Sequence, residues 1–473
     1  MNNKVYDVAI IGSGPSGIAA ALELSKYNIN ILLIDNNERV GGQIYRASPP
    51  EFKSDESVEE MQIQKDLEEK IKKSNIVYKP NHTVWQISEN FRIDGFTESE
   101  AFVWRANKII VATGTTERIV PFSGWTNPGV IGLAATTIIL KSQQTMPGKK
   151  IIIAGCGPLL LVVAYYTLKL GGKIEAIIDT NSKWTWLKNF IFLFSNIPLF
   201  IKGFKWILKI LLCRIPIYSN CTVTSAENNN DLLNVEIKNL NNIENSKSIK
   251  LQCDTLCVGH GLIPSTDFSR LMNAHHKFDK YLGGWIPEVN KYFETSVPNF
   301  YQIGDASGVL GAMPAYEKGK IAAISIIHKM NLLSDYELDQ QYKILSKKLK
   351  RLKIFGEAIS KISFPNDLLY KQILPETIVC RCEDITRKDI ENSANNGAHD
   401  LNQLKTWTRC GMGPCQGRTC HYATSLVLAK CTNKKIEDLG YWTGRAPVRP
   451  IPFYAAAGDF TYEEITKIES TPI

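Results

Sequence analysis

The chain has 473 residues, of which 44% are hydrophobic and 22% are charged, as in an ordinary globular protein. At roughly 150 residues per domain, this length predicts about three domains. The 55 Lys and Arg residues exceed the 47 Asp and Glu residues by only 8, too few to indicate a nucleic-acid-binding protein. The 11 cysteines are too sparse for a disulfide-rich secreted protein, yet five of them lie between Cys380 and Cys420.

Neither a signal peptide nor a transmembrane helix is predicted. The N-terminal apolar run Val8–Ile11 is shorter than the apolar region of a signal peptide. The longest apolar stretch, Phe190–Cys213, is interrupted by Pro198 and contains three lysines, whereas a membrane span needs about 20 apolar residues. We therefore expect a cytoplasmic protein, either free or peripheral to the inner face of the membrane.

The N-terminal segment has the pattern of a dinucleotide-binding βαβ unit. Two predicted strands, Val5–Ile11 and Asn30–Ile34, flank a predicted helix over Ile18–Lys26. The first strand leads into a turn that consists of Gly12, Ser13, Gly14, Pro15, Ser16 and Gly17. Its first glycine permits a tight turn, its second lets a pyrophosphate approach the backbone, and its third allows close helix–strand packing. Asp35 follows the second strand and can bind ribose hydroxyls, while the helix N-terminus favours phosphates.

Three further motifs favour FAD over NAD as the ligand of this unit. They contain Gly42 and Gln43, then Ala112, Thr113 and Gly114, and finally Gly304 and Asp305. The first pair follows the acidic residue, as in many flavoproteins. The second motif resembles the crossing segment of flavoproteins with two dinucleotide-binding domains. The third resembles their second FAD motif, which implies that Asp305 binds the ribityl chain.

A second segment repeats the βαβ arrangement, so an internal duplication of the nucleotide fold is predicted. The strand Lys149–Ala154 leads into a turn with Gly155 and Gly157, and a further strand ends at Asp179. Leu160 replaces the third glycine, which weakens the prediction of a working NAD site. Asp179 favours a ribose 2′-hydroxyl over a phosphate, so NAD(H) or another adenine nucleotide is the candidate ligand. The alternative is a vestigial or purely structural nucleotide fold.

Residues 183–215 combine several aromatic side chains with six basic residues and no acidic one. Lys202, Lys205 and Lys209 are predicted to share one helical face. Three alternatives follow: contact with an anionic membrane surface, docking to a partner subunit, or a helical insertion packed on its own domain.

The C-terminal cysteines form two short-range pairs. One residue separates Cys380 from Cys382, and four separate Cys415 from Cys420. Four thiolates can bind zinc or a [2Fe–2S] cluster, and the C-x-C spacing is unusual for structural zinc. We predict these four as cluster ligands, with Cys410 as a nearby thiol that competes with Cys415. The chain contains no C-x-x-C motif, which argues against thioredoxin-reductase chemistry.

Nearly the whole chain resembles the alpha (A) subunits of the heteromeric opine oxidases, hydrogen cyanide synthase and the hydroxyproline or proline dehydrogenases. The matching stretches are Gly41–Arg46, Gly283–Trp285, Thr408–Cys420 and Gly444–Pro450. The cysteine region also resembles the bacterioferritin-associated-ferredoxin-like [2Fe–2S] domain, although its second pair is C-x₄-C where the small ferredoxin has C-x₂-C. The resemblance implies a beta subunit that carries its own flavin, oxidises an amine or imino acid and passes the electrons to this chain. A small third subunit is a further candidate partner.

The predicted fold is α/β, with two dinucleotide-binding (Rossmann-like) domains, the second inserted in the first, and a small C-terminal helical [2Fe–2S] domain. The predicted segments are 1–120 and 266–331 for the FAD-binding domain, 121–265 for the inserted adenine-nucleotide domain, 332–376 for a helical connector, 377–435 for the cluster domain and 436–473 for the tail. The resemblance also implies that Glu317, just after the Gly304–Asp305 motif, opens a helix whose amide end faces the flavin.

No catalytic constellation of side chains is predicted, because neither a Ser-His-Asp, a Cys-His nor a paired-carboxylate arrangement is recognisable. The favoured function is an electron-transfer subunit with FAD and [2Fe–2S] in a dehydrogenase of an opine, imino acid or amino acid. A stand-alone NADH-dependent flavoprotein reductase that feeds its own cluster is the second hypothesis. A non-catalytic assembly scaffold is the third.

Overall fold

The structure, a computed structural model, describes residues 5–46 and 58–457; the C-terminal part of the predicted tail, 458–473, lies outside them. The strands are β1 (Val5–Ile11), β2 (Ile31–Ile34), β3 (Val77–Lys79), β4 (Thr83–Ser88), β5 (Arg92–Phe96), β6 (Ala101–Val111), β7 (Thr115–Glu117), β8 (Val130–Gly132), β9 (Lys150–Gly155), β10 (Lys173–Asp179), β11 (Ile217–Ser219), β12 (Cys221–Asn229), β13 (Leu232–Asn239), β14 (Ile249–Cys253), β15 (Thr255–Gly259), β16 (Leu262–Pro264), β17 (His276–Asp279), β18 (Gly284–Pro287), β19 (Phe300–Gln302), β20 (Ile378–Cys380) and β21 (Ile385–Thr386). The helices are α1 (Pro15–Leu24), α2 (Val58–Lys72), α3 (Leu133–Ser142), α4 (Leu159–Lys169), α5 (Lys183–Leu193), α6 (Ile197–Leu212), α7 (Asp267–Leu271), α8 (Ala312–Lys329), α9 (Asp335–Ser363), α10 (Arg387–Asn395), α11 (Leu401–Thr408), α12 (His421–Thr432) and α13 (Phe453–Ala457).

The first sheet has the order β3-β2-β1-β6-β5-β4, with β19 also paired to β6. The strands β3, β2, β1, β6 and β19 run parallel, whereas β4 and β5 form an antiparallel extension. The apolar side chains of β2 and of the second half of β1, from Val8 onward, are buried, and α1 and α8 cover one face of this sheet. The carboxyl ends of β1, β2, β6 and β19 therefore meet at one edge, where the first glycine turn lies.

In the sequence, the strands of a second sheet lie between β6 and β19, which are paired strands of the first sheet. The second sheet is entirely parallel, in the order β11-β10-β9-β15-β8. The chain leaves the first sheet through β7 and returns through β16, and these two strands pair antiparallel. The predicted α/β fold with one nucleotide unit inserted in another is confirmed, and the exact domain boundaries stay a prediction.

The C-terminal part of the described chain packs three short helices, α10, α11 and α12, around a core that also takes in Val120, Leu240 and Ile263 of the preceding parts. This core contains Cys380, Cys410 and Cys420 together with Trp442. The 29-residue helix α9 connects it to the first sheet, and begins at a capping box formed by Ser334 and Glu337. None of the helices in 5–46 and 58–457 has the length and apolar character that a bilayer crossing requires.

The main predicted elements are present with shifted ends. The first helix starts at Pro15 rather than at Ile18, because proline is favourable at the first helical position. The helix after the Gly304–Asp305 motif begins at Ala312, so the prediction that Glu317 opens it is wrong. Gly311 caps this helix with a positive φ of 93°, a conformation that favours glycine.

Candidate functional site

The three glycines of the first turn differ in what surrounds them. A Cβ atom on Gly12 would lie 2.4 Å from the carbonyl oxygen of Ala112, and one on Gly17 would lie 1.8 Å from that of Gly12. On Gly14 the nearest heavy atom would be Gly42 Cα, at 3.9 Å. The first and third glycines are thus required by packing, whereas the second leaves open the position where a pyrophosphate can approach.

Asp35 lies beside this turn, at the carboxyl end of β2. Its Oδ2 accepts hydrogen bonds from the backbone N–H and the hydroxyl of Ser13, at 2.5 and 2.8 Å. Its Oδ1 accepts bonds from the backbone and side-chain nitrogens of Asn37, at 2.8 and 2.7 Å. The carboxylate is therefore held in a fixed orientation where the sequence predicts the ribose-binding acid.

The predicted crossing segment and the Gly42 turn border the same edge. Gly42 has a φ of 59°, and a Cβ there would lie 2.9 Å from Gly14 Cα, so only glycine permits this approach. Gln43 is exposed to solvent. The hydroxyl of Thr113 donates to Ser265 O at 3.3 Å, and no atom lies within 4 Å of a Cβ placed on Gly114. The segment thus leaves free space beside the first glycine turn.

The Gly304–Asp305 turn meets the start of α1. A Cβ on Gly304 would lie 2.4 Å from Ser16 Oγ, so this close approach also requires glycine. Asp305 Oδ1 accepts hydrogen bonds from the backbone nitrogens of Leu310 and Gly311, both at 2.9 Å. The structure thereby brings this turn and the first glycine turn together.

Lys318, which lies outside every motif singled out in the sequence, ties this turn to α8. Its buried Nζ donates to Gly304 O at 2.9 Å, to Ser307 Oγ at 3.1 Å and to Gly308 O at 3.0 Å. Burial lowers the pKa of Lys318 to about 8, although nearby Asp305 favours its charged form. A buried lysine is rare without partners, but sequence alone does not tell a buried helical lysine from an exposed one.

Glu317 faces α9 within the core. Its Oε1 lies 2.6 Å from Lys348 Nζ, and its side chain is only 2% exposed. Its Oε2 has no hydrogen-bond partner among the described residues. Lys348 belongs to the lysine-rich run of α9, residues 347–353, so this member of the run is engaged by a buried acid of the protein itself.

The second glycine turn is covered by the end of α9. A Cβ on Gly157, the counterpart of Gly14, would lie 2.5 Å from Ser363 Oγ and 2.9 Å from Ser363 Cα. Cys156 Sγ donates to Ser363 O at 3.3 Å, and Asn181 Nδ2 donates to Ile362 O at 2.8 Å. The position that is open above the first turn is therefore filled above the second.

The other predicted residues of the second unit are also enclosed. A Cβ on Gly155 would lie 1.7 Å from Gly259 O, so this glycine is fixed by close strand packing. Asp179 accepts hydrogen bonds from Trp186 Nε1 at 2.7 Å and from the Asn181 backbone at 2.9 Å. Burial raises the pKa of Asp179 to about 6. This carboxyl group is thus engaged by the protein itself.

The five clustered cysteines come together at one end of the C-terminal core. The Sγ atoms of Cys380, Cys410 and Cys420 all lie within 4.8 Å of one another, and all three residues are buried. The thiol of Cys415 contacts those of Cys420 and Cys382. Two of the four predicted ligands, Cys380 and Cys420, thus lie in this group together with Cys410, whose Sγ is also 3.3 Å from Thr424 Oγ1, whereas Cys415 and Cys382 adjoin it.

The glycine-rich loop before Cys420 fits closely around this group. A Cβ on Gly413 would lie 2.2 Å from Cys382 Cβ, and one on Gly417 would lie 2.1 Å from the Trp442 ring. The backbone N–H of Gly411 donates to Cys380, and those of Gly417 and Thr419 donate to Cys415. Hydrogen bonds to the sulfurs stabilise thiolate charge and tune the potential of an iron–sulfur cluster, so this set of donors suits a [2Fe–2S] centre.

Arg418 connects the cysteine loop to the first unit. Its Nη1 donates to Cys415 O at 3.0 Å, and its Nε lies 3.0 Å from Asp267 Oδ2. Asp267 is two residues from Ser265, whose carbonyl accepts from Thr113 of the crossing segment. The cysteine group and the crossing segment are therefore joined by partly buried polar contacts and the short stretch of backbone between Ser265 and Asp267.

Arg118 forms a second connection between the parts of the chain. It is 1% exposed and lies between the rings of Phe364 and Tyr422, with 4.7 Å from its Cζ to each centroid. Its Nη2 donates to Gly283 O at 2.7 Å. No local sequence pattern marks this residue, because its partners come from three distant segments.

Comparison with known proteins agrees with this architecture. The family described as pyridine nucleotide-disulphide oxidoreductase matches residues 6–324, and the one described as sarcosine oxidase A3 domain matches residues 375–459. The chain is 30% identical to the alpha (A) subunit of opine oxidase from Rhizobium meliloti over 463 residues, which cover 95% of this chain and 86% of the relative. It is 29% identical to hydrogen cyanide synthase subunit HcnB of Pseudomonas protegens over 461 residues, or 94% of this chain and 96% of the relative.

Solved structures show the same fold at lower identity. L-proline dehydrogenase from P. horikoshii has a TM-score of 0.69 and 21% identity, with 95% of this chain and 78% of that chain covered. Thioredoxin reductase from T. acidophilum, with a TM-score of 0.50 and 19% identity, covers 69% of this chain and is itself 99% covered. The family implies binding of FAD or NAD(P). The chain therefore belongs to the pyridine nucleotide-disulphide oxidoreductase family, as a flavin oxidoreductase of the type represented by the alpha (A) subunit of opine oxidase and by hydrogen cyanide synthase subunit HcnB.

Proposed function

We propose that the chain is an FAD- and [2Fe–2S]-containing electron-transfer subunit of a heteromeric dehydrogenase that oxidises an opine, imino acid or amino acid. The observation that carries this proposal is the cysteine group that Arg418 and Asp267 hold against the crossing segment of the first unit. Both centres would then belong to one continuous protein framework rather than to independent modules.

FAD would lie at the edge of the first sheet, against the first glycine turn. The proposed cofactor-binding residues are Gly12, Gly14, Pro15, Ser16, Gly17, Asp35, Gly42, Gln43, Ala112, Thr113, Gly114, Gly304 and Asp305. Free space beside Gly14, Gly114 and Gly311 supports this assignment, since these positions leave room for a ligand at one edge. Lys318, on α8, would hold the Gly304–Asp305 turn in place through its hydrogen bonds to Gly304 O and Gly308 O.

The cluster ligands are proposed to be Cys380, Cys382, Cys415 and Cys420. FAD accepts two electrons as a hydride equivalent, and a [2Fe–2S] cluster carries one electron at a time. The backbone donors of the glycine-rich loop would stabilise thiolate charge, and burial of Cys380 and Cys420 would exclude water. No described side chain is assigned a proton-transfer role.

The chain would receive its electrons from an amine-oxidising flavoprotein, and a small third subunit is a further candidate partner. The relatives from Rhizobium meliloti and Pseudomonas protegens are both named as subunits, which supports a heteromeric assembly. The predicted segments stand as proposed domains: 1–120, 121–265, 266–331, 332–376, 377–435 and 436–473. A cytoplasmic location stands with them as a proposal.

A stand-alone NADH-dependent reductase is the second hypothesis, with NAD(H) or another adenine nucleotide at Gly155, Gly157 and Asp179. The position of Ser363 over Gly157 weighs against it, because a dinucleotide would have to displace the end of α9. We therefore favour the electron-transfer role within a heteromeric enzyme.

The test is to purify the tagged full-length chain from its native cells, then record an absorption spectrum and identify accompanying proteins by mass spectrometry. We expect a flavin and iron–sulfur spectrum and a stoichiometric flavoprotein partner. A lone chain with the same cofactors that NADH reduces directly would overturn the heteromeric role. A chain without iron would overturn the cluster assignment alone.

A further inference from the structure

The consecutive helices α5 and α6 (residues 183–212) are called the hairpin below, and α5 packs against α9. Where the two helices meet, Phe194 lies 5.1 Å from Phe190 and 4.3 Å from Phe200 between ring centroids. On its inner side α6 packs against α4, where Trp206 lies 5.8 Å from Tyr165 and Ile210 is 1% exposed. The hairpin is thus a folded and anchored element of the protein.

The outer side of α6 carries apolar residues where a surface helix normally carries polar ones. We define the outer stripe as Ile197, Ile201, Phe204, Leu208, Leu211 and Leu212. From Ile197 to Leu208 the spacings are four, three and four residues, and Leu211 and Leu212 lie three and four residues after Leu208, which places all six on one helical face. They are between 47% and 74% exposed, and the hairpin contains 14 of the 29 exposed large hydrophobic side chains of the described residues. A row of exposed apolar side chains along one helical face indicates a binding surface.

The charge of the hairpin is entirely of one sign. Residues 183–212 contain five lysines and no aspartate or glutamate, and Arg214 lies two residues beyond them. Lys202, Lys205 and Lys209 lie along one flank of the outer stripe, and Lys205 is exposed. Lys209 Nζ is 5.4 Å from the centroid of Tyr165, which directs this side chain along the helix flank. An apolar face bordered by lysines matches the boundary between acyl chains and anionic headgroups.

We propose that the hairpin docks the protein onto the surface of a bilayer that contains anionic phospholipids. Helix α6, about 24 Å long from its 16 residues, would lie in the plane of the interface with the outer stripe in the acyl boundary. The exposed Lys205 would reach the headgroups. A protein partner fits less well, because lysine is depleted in protein interfaces. This docking does not depend on which cofactors the chain binds.

The test is flotation of the purified full chain with vesicles. One set contains phosphatidylcholine alone, and the other contains equal parts of phosphatidylcholine and phosphatidylglycerol. We expect the chain to float with the second set, more weakly at high ionic strength. The double variant Phe204→Ser/Leu208→Ser should bind at least about tenfold more weakly, because it removes two side chains that would enter the acyl boundary. Lys205→Glu should weaken binding by about fivefold or more.

A matched control is Tyr336→Ser/Ile344→Ser, which removes two exposed side chains, 73% and 68% exposed, from α9 instead. It should float like the wild type. An unchanged circular dichroism spectrum in each variant shows that the fold is retained. Absence of flotation with anionic vesicles, or equal flotation of the wild type and the outer-stripe variant, would overturn the proposal. A different result would identify a protein interface: the wild type would not float with vesicles but would co-purify with another protein, and the outer-stripe variant would lose that protein. The lipid assignment would then be wrong.

Discussion

Arg418 and Asp267 form a salt bridge, with 3.0 Å between Nε and Oδ2, that joins the cysteine loop to α7 beside the crossing segment. Both side chains are largely buried, at 14% and 8% exposure. Asp267 also binds Arg270 at 2.8 Å, and Arg449 lies 3.7 Å from the same carboxylate. One buried acid is thus surrounded by three arginines from separate segments.

We expect Arg418→Ala to weaken the contact between the C-terminal core and the first unit more than it destabilises either of these two parts. Loss of a charge-assisted hydrogen bond should cost about 1.5–3 kcal/mol of unfolding free energy. Urea unfolding, followed through absorption of the bound cofactors, measures this cost. Arg449→Ala is the matched control, since its longer contact of 3.7 Å predicts a smaller loss. An equal loss in both variants would contradict the special role of Arg418.

The same carboxylate predicts a dependence of stability on pH. Burial by itself would raise the pKa of Asp267, but Arg418, Arg270 and Arg449 outweigh it and hold the pKa below its ordinary value of 3.8. Because the folded-state pKa is the lower one, the stabilisation is complete above about pH 4 and is lost as the pH falls through the folded value. Asp267→Asn should therefore be less stable than the wild type at pH 7, and the difference should shrink in acid. A constant difference across this range would contradict the assignment.

Cysteine variants should separate the ligands of the cluster from the neighbouring thiol. We expect Cys415→Ser to lose most bound iron, because a serine hydroxyl is a poor substitute for a thiolate. Cys410→Ser should keep its iron, since Cys410 Sγ already has Thr424 Oγ1 as a partner at 3.3 Å. Iron content and the visible spectrum measure both outcomes. Cys431→Ser, outside the cysteine group, is the control. The reverse result would exchange Cys415 for Cys410 in the ligand set.

Retention of FAD should depend on the turn after β19. We expect Asp305→Ala to purify with much less than one flavin per chain. Lys318→Met should weaken FAD binding by about tenfold, because it removes three hydrogen bonds that fix the same turn. Lys320→Met on the same helix is the control for Lys318, and Asp231→Ala, on an exposed loop, is the control for Asp305. Stoichiometric FAD in Asp305→Ala would refute the assignment of this region.

Because the end of α9 covers the second glycine turn, we expect NADH to react slowly with the isolated chain. Ser363 fills the space above Gly157, so a nicotinamide dinucleotide has no preformed position there. Stopped-flow mixing of the chain with NADH should leave the flavin absorbance unchanged on the timescale of turnover, while dithionite, which needs no binding site, should bleach it. Rapid bleaching by NADH would contradict the prediction and favour the reductase hypothesis.

Local patterns made the nucleotide turns and the cysteine group predictable. Gly12, Gly17 and Asp35 lie within one βαβ unit, whose geometry follows from the spacing of the glycines and the acid. Ser363 could not be predicted, because it meets Cys156 across 207 residues of sequence. The role of Cys410 was ambiguous for a related reason: spacing identifies pairs of thiols, but only the packing of α11 and α12 brings a fifth thiol into the group.

Buried polar side chains were the second kind of feature that the sequence did not predict. Lys318 and Arg118 look like ordinary surface residues in a sequence, and their burial depends on carbonyl groups and rings from distant segments. The outer stripe of α6 was predicted only as a basic amphipathic stretch. Which side of that helix faces the protein depends on the contact between Trp206 and Tyr165.

Strand β19 is synthesised long after β6, the strand with which it pairs, and this delay has a consequence for biosynthesis. Strand β6 ends at Val111, and its parallel neighbour β19 begins at Phe300, about 190 residues later. At about 5–20 residues per second, translation takes roughly 10–40 s to supply that strand. The inserted sheet, whose last strand ends at Gly259, emerges from the ribosome before then. The part of β6 that pairs with β19 must therefore stay unpaired while the insertion folds. The proposed flavin site, which includes Gly304 and Asp305, can be completed only after β19 has joined the first sheet.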